Sequence, residues 1–316
     1  MSNVSVKTAD GRTVSLSEDT LTTLRGRLRG QLCLPGEPGY DTARTIWNAM
    51  IDRRPALIVR AAGAADVIVA VNLAREHGLL LAVRGGGHNI AGNAVCDGGL
   101  MLDLSPMKSV RVDPAKRMAY AEPGVTLADF DKECQAFGLA TPVGINSTTG
   151  LAGLTLGGGF GWLSRKYGLT VDNLRAADVV TADGKLLRAS AKEHPGLFWA
   201  IRGGGGNFGV VSAFALELHP VGPEVLAGLV VHPFSDAKAV LEGYRKAVAK
   251  APAELTCWAV MRQAPPLPFL PPAVHGTPVL VLAMCYAGDL KRGEKATAPL
   301  RALGKIGRAS CRERVS

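Results

Sequence analysis

Long apolar runs are missing from this sequence: no stretch approaches the roughly 18 consecutive apolar residues of a membrane helix. A membrane span is therefore not expected. The opening segment MSNVSVKTADGRTVSLSEDT has no cationic patch leading into an apolar stretch, so it does not read as a secretory signal. Cysteine is sparse and scattered. The six residues Cys33, Cys96, Cys134, Cys257, Cys285 and Cys311 form no C-x-x-C and no Cys/His pair at metal spacing. Neither a disulfide framework nor a metal site is expected, and the thiols read as reduced in a cytoplasmic protein. Aromatics are also scarce, at 5% of residues, with no basic run interleaved with rings. A stacking platform for nucleic acid is thereby excluded. The net charge of +9 does not restore it, because Lys291–Ser316 alone supplies eight Lys and Arg against two Glu.

What remains is a folded chain. Its 316 residues, 47% apolar and 20% charged, suit about two domains. The stretch IGRASCRERV (306–315) lacks a hydrophobic period and resembles the translation of a sequencing-adapter oligonucleotide. Residues 306–316 are accordingly expected to be a non-native tail outside the fold, following a natural chain cut near Lys305. A frayed basic tail is the alternative.

Glycine is abundant, with 38 residues where about 22 would be average for this length. Fifteen of them lie between Gly85 and Gly161, which implies backbone brought close to something. Three clusters stand out: RGGGHN (84–89), TTGLAGLTLGGGFGW (148–162) and RGGGGNFGVV (202–211). Before the first, ALIVRA reads as a strand, GAADVIVAVNLAREHG as a helix ending at Gly78, and LLLAVR as a second strand parallel to the first. RGGGHN then lies at the carboxyl end of a parallel strand, where ligand sites of α/β sheets gather. Three successive glycines expose backbone amides of the kind a pyrophosphate requires, although a plain glycine turn has the same local signature.

After MLDLS, the segments SVRV and RMAYA flank the turn DPAK as a hairpin. TLADFDKECQAFG reads as a helix capped by Thr126 with Asp129 three residues on. The small residues of the second cluster, alternating with Leu151, Leu154 and Leu156, suit a backbone packed against a flat, partly apolar ligand. In the third cluster Gly204, Gly206 and Gly209 satisfy G-x-G-x-x-G, yet a helical stretch precedes them and a strand follows. A Rossmann fingerprint demands the reverse order. No P-loop motif is present either.

Taken in order, RGGGHN, GLTLGGGFGWLSRKYGLTVDNL, the hairpin VVTADGKLL and FWAIRGGGGNFGVV resemble the FAD-linked oxidase family. That family carries the PCMH-type flavin domain of p-cresol methylhydroxylase and vanillyl-alcohol oxidase. The similarity runs from about Arg53 to Pro220 and is nearest to bacterial berberine-bridge-enzyme-like oxidoreductases. It implies an α+β fold: a two-subdomain FAD-binding domain over residues 51–221 after an N-terminal segment 1–50. Part of an antiparallel-sheet substrate domain with helices on one face would follow over 222–305, beyond the junction HPVGPEV.

The resemblance also implies site residues. His88 would be joined through a ring nitrogen to the 8α-methyl carbon of the isoalloxazine. The backbone of Arg84, Gly85, Gly86, Gly87, His88 and Asn89 would hold the pyrophosphate. Thr148, Thr149, Gly150, Gly153, Leu154, Gly158, Gly159 and Gly161 would line the flavin, with Val210 and Val211 closing the adenine side. Members with two covalent bonds use a cysteine where this chain has Asn146, so FAD attached through His88 alone is expected. The implied activity takes hydride from a C–H next to an alcohol or amine of a small molecule. Electrons would pass to oxygen or another acceptor, and Thr149 does not choose between oxidase and dehydrogenase. The family's catalytic tyrosine has no counterpart in this chain. Tyr120, Tyr167 and Asp172 read as packing or capping residues, and no catalytic residue is named. A truncated, inactive flavin-binding fragment is the alternative reading.

Overall fold

The computed structural model describes residues 3–304 together with the backbone of 307–314. The fold is α+β, and it divides into two compact units. The first comprises Met1–Cys134, Val143–Gly159 and Leu169–Leu218; the second comprises Gln135–Pro142, Phe160–Gly168 and His219–Ser316. The boundary is thus not a single cut, because two short segments from the glycine-rich half pack with the later residues.

In the first unit, Leu57–Arg60 and Leu81–Arg84 are joined by the helix Ala64–His77, which ends on Gly78 at φ 62°. A left-handed residue at this position closes the helix without the steric cost that a side chain would bring. The two strands are parallel, as their order implies, but they are not neighbours. Leu100–Asp103 lies between them and pairs in parallel with both, while Gln31–Cys33 adds an antiparallel edge. Leu57, Val59, Leu100 and Leu102 are fully buried in the main core, against Val67, Ala70 and Val71 of the helix. Asp66 is buried in the first turn of that helix and accepts the amides of Arg29, Gly30 and Ala62 at 2.8–2.9 Å. The N-terminal segment is thereby tied to the strand–helix turn.

A second, five-stranded sheet is antiparallel. It contains the hairpin Val110–Asp113/Met118–Ala121, the hairpin Leu174–Val180/Leu186–Ser190, and Val210–Glu217 between them. The helix Leu127–Gln135 starts as its sequence dictates. Thr126 Oγ1 and the Asp129 carboxylate exchange bonds of 2.8–3.3 Å with each other and with each other's amides.

In the second unit, Leu255–Gln263, Pro278–Tyr286 and Glu224–Pro233 form an antiparallel sheet with the helices Ala237–Val248 and Leu290–Arg301 on one face. Alternation assigns Leu226, Val230, Leu255, Cys257, Leu280 and Leu282 to that covered face. Of residues 306–316, expected to be a non-native tail, the backbone of 307–314 is described. Gly307–Arg314 pairs antiparallel with Glu224–Pro233, from Val231 opposite Gly307 to Glu224 opposite Arg314. The physical reason lies in the partner: a bare sheet edge presents unpaired N–H and C=O groups that an extended segment of almost any sequence can satisfy. Residues 305, 306, 315 and 316 lie outside the described residues.

Candidate cofactor site

The first two glycine clusters meet backbone to backbone. A Cβ built on Gly86 would stand 2.4 Å from the Gly150 Cα, and one built on Gly150 would stand 2.5 Å from the Gly86 nitrogen. Only glycine permits this approach at both positions. The second cluster is held in place by the segment before the capped helix: Leu127 N donates to Thr149 O and Leu151 N to Val125 O, both at 2.9 Å. The third cluster joins through Gly203, whose amide donates to Leu156 O at 3.0 Å. Within the first unit, the three clusters, the second as far as Gly159, are thereby joined by backbone contacts.

The loop after Leu81–Arg84 has an uncommon hydrogen-bond inventory. Among the described residues, the amides of Gly85, Gly86, Gly87, His88 and Asn89 donate to no acceptor. Gly87 is nevertheless buried, and Gly85, Gly86 and His88 are half-buried. Buried backbone donors are almost always paired, so the unpaired amide of buried Gly87, flanked by four more without a protein acceptor, leaves a row of donors open to an external one. A polyanion such as a diphosphate fits that donor set.

The His88 imidazole stacks on the indole of Trp47, with ring centroids 4.6 Å apart and planes 15° from parallel. Among the described residues it has no hydrogen-bond or ion-pair partner, which leaves its ring nitrogens available for a bond to a ligand. Trp47 is 58% exposed, and its amide donates to Gly87 O at 3.1 Å. Sequence reasoning missed this residue. It stands in a segment without glycine, periodicity or motif, and the only signal was a tryptophan outside any apolar run.

Arg84 starts the loop with its side chain already engaged. Its guanidinium meets the fully buried Asp103 at 3.2 Å and donates to Ala43 O at 2.5 Å, Thr45 O at 3.0 Å and Ser105 Oγ at 3.3 Å. Arg60 reaches the other Asp103 oxygen at 3.1 Å, and Ser105 donates its amide and hydroxyl to the same carboxylate at 2.9 and 3.0 Å. Asp103→Ala would leave the largely buried Arg84 guanidinium uncompensated and orphan the Ser105 donors. A loss of about 3 kcal/mol is expected, read as a lowered denaturant midpoint with an unchanged slope.

The remaining expected residues are distributed unevenly. The helix Leu151–Leu156 presents Gly153 at the surface, with nothing within 4 Å of a Cβ built there. Leu154 is half-buried, Thr148 exposed and Thr149 half-buried. Gly158 and Gly159 make a left-handed turn at φ 109° and 71°, and their carbonyls accept the amides of Val171 and Thr170. Thr155 and Thr170 beside this turn are fully buried, with hydroxyls that find no partner among the described residues. Gly161 belongs to the second unit. Val210 and Val211 are buried, Val210 inside the main core, so its side chain is already engaged. Asn146 accepts the amide and hydroxyl of Thr148 at 3.2 and 2.9 Å, shaping the turn into the second cluster. Asp172 accepts the Leu169 amide at 2.8 Å, as a capping residue does, and Tyr167 stacks on His219 with centroids 4.0 Å apart. Among the described residues no group of three or more His, Cys, Asp or Glu could hold a metal ion.

Residues 55–190 match the family described as the FAD binding domain. The chain is 36% identical over 278 residues to (R)-6-hydroxynicotine oxidase of Paenarthrobacter nicotinovorans, covering 88% of this chain and 59% of that relative. Among solved structures, 6-hydroxy-D-nicotine oxidase from Arthrobacter nicotinovorans superposes with a TM-score of 0.80 at 34% identity, covering 90% of this chain and 62% of that one. Xylooligosaccharide oxidase from Myceliophthora thermophila, in complex with xylobiose, gives a TM-score of 0.78 at 27% identity over 92% of this chain and 60% of that one. The chain thus spans about three fifths of the length of these relatives. A glycine cradle that fits a diphosphate, a histidine free of hydrogen bonds beside it and these likenesses agree: the chain carries an FAD binding domain of the kind found in the FAD-linked oxidoreductases it resembles.

Proposed function

We propose that this chain is the flavin-holding part of an FAD-dependent oxidoreductase that carries its cofactor on His88. The observation that supports this most is the run of five unpaired amides, Gly85 to Asn89, that includes His88, whose imidazole has no hydrogen-bond partner among the described residues. The residues fit the group. The Gly85–Asn89 backbone would hold the diphosphate of FAD, the Gly150–Gly159 segment would meet the flat ring system, and a His88 ring nitrogen would be bonded to the 8α carbon. When bound, FAD supplies a hydride acceptor that takes hydrogen from a C–H next to an alcohol or amine and passes electrons to oxygen or another acceptor. Within this chain Trp47 keeps the imidazole in one plane, Asp103 fixes the start of the loop through Arg84, and Gly153 leaves space where a side chain would stand. Attachment is through one bond, because Asn146 offers no thiol and Cys134 is fully buried, with burial pushing its thiol up to about 12.

The substrate is a small molecule, and the second unit, with its antiparallel sheet and one-sided helices, is the part that receives it. Among the described residues no helix is long and apolar enough to cross a membrane. The five described cysteines are free and buried, which supports a reducing, cytoplasmic setting. A second reading, a flavin-holding fragment without turnover, is favoured by the 59% share of the nicotine oxidase that the chain covers. Purified protein should be yellow and stay yellow through acid precipitation. Anaerobic bleaching by one member of a panel of alcohols, amines and sugars selects the enzyme, persistent colour selects the fragment, and a colourless pellet refutes covalent attachment.

A further inference from the structure

The face of the second unit's sheet that its helices leave uncovered is roofed by the proline-rich loop after Leu255–Gln263. That loop is closed at its base, where the Ala264 amide donates to Thr277 O at 2.9 Å and the Gly276 amide to Ala264 O at 2.8 Å. Leu270, 4% exposed, reaches down from the loop to Val231, Val279 and Val281 of the sheet. Loop and sheet do not fill the space between them. A recess of about 130 Å³ remains, lined by Leu229, Val231, Val260, Val281, Leu267 and Leu270 among others. Its described walls contain no hydroxyl, amide or carboxylate side chain; Arg262 is the one polar residue. Register places it at the end of the recess, with Arg262 opposite Val279 on the edge strand. Its Nε donates weakly to Gln263 O at 3.3 Å, and among the described residues no carboxylate pairs with it.

Volume and chemistry together define an occupant. An apolar cavity of about 150 Å³ stays dry and accepts a benzene ring, so this recess is the size of one six-membered carbon ring. A sugar would bring hydroxyls into walls that cannot pair them, at a cost that selects against it. A neighbouring guanidinium without a carboxylate favours an anionic substituent on the ring. We propose that the recess binds a compact carbon ring bearing a carboxylate, and that the second unit thereby selects ring carboxylates over oligosaccharides. The selective role rests on the reading of that unit as the substrate-receiving part; the binding itself does not.

The test is calorimetric titration of the purified full chain with 4-methylbenzoate, toluene and xylobiose. The carboxylate is expected to bind about tenfold more tightly than toluene, and xylobiose not to bind. Val260→Trp, which fills the recess from the exposed edge strand, should weaken both ring ligands at least tenfold. Arg262→Met should bring the carboxylate down to the affinity of toluene. Absence of 4-methylbenzoate binding, binding indifferent to both substitutions, or displacement by xylobiose overturns the proposal. Should Val260→Trp fail to fold, as judged by circular dichroism, the Arg262→Met comparison decides alone. Acid-stable flavin is measured on the same samples. Ring binding in protein without covalent flavin leaves this site standing while the flavin reading falls, and the converse pattern removes only this site.

Discussion

His88→Ala is expected to give protein whose acid precipitate is colourless, against a yellow precipitate from the parent chain. The loss should be complete and not graded, because no other nucleophile shares the position. Asn146 replaces the thiol that a second bond would use, and Cys134 is fully buried with its thiol raised to about 12. The substitution leaves the amides of Gly85–Asn89 in place, so dissociable FAD should still bind and be released by acid into the supernatant. Retention of flavin in the precipitate would show that the bond lies elsewhere. Thermal stability of the variant without flavin should be close to that of the parent, since the half-buried imidazole stacks on the exposed Trp47 ring and has no hydrogen-bond or ion-pair partner among the described residues.

The second large effect concerns the contact between the loops. Gly86→Ala would place a methyl carbon 2.4 Å from the Gly150 Cα, and that obstacle is backbone, which cannot rotate aside as a side chain would. Overpacking of this kind costs about 1–3 kcal/mol. The strain falls on the loops that carry the free amides, so FAD affinity should drop at least tenfold, about 1.4 kcal/mol. Gly153→Ala is the matched contrast. Nothing lies within 4 Å of its new methyl, and within a helix alanine gains about 0.5–1 kcal/mol over glycine. Its melting temperature should rise while flavin incorporation falls, because the methyl occupies the space kept for the ring. Unchanged flavin content in both variants would separate the glycine clusters from the cofactor.

Much of this was legible from residues close in sequence. Gly78 ends its helix, Thr126 and Asp129 cap theirs, and the turn DPAK joins its two strands because short-range stereochemistry decides each feature. The order of helix, glycine cluster and strand around Gly204–Gly209 is likewise readable locally and is the reverse of a Rossmann fingerprint. What escaped depends on partners distant in the chain. Nothing local in MLDLS says that it enters between two earlier strands, and nothing local in the Ile46–Asn48 segment says that Trp47 will lie on His88. Residues 135–142 and 160–168 carry no mark of packing with residues after 219. The pairing of Gly307–Arg314 reflects the bare edge of Glu224–Pro233 and not any strand signal of its own.

The register that aligns Arg60, Asp103 and Arg84 across three adjacent strands has a consequence for how a dinucleotide is recognised. Asp103 pins both guanidinium groups in place, so the loop offers an arriving diphosphate oriented peptide dipoles in place of mobile cations. Grip of this kind depends on the orientation of peptide groups more than on attraction across water. Raising ionic strength from tens of millimolar to several hundred should therefore leave the affinity of His88→Ala for dissociable FAD nearly constant, where a phosphate site lined by mobile lysines or arginines would loosen steeply.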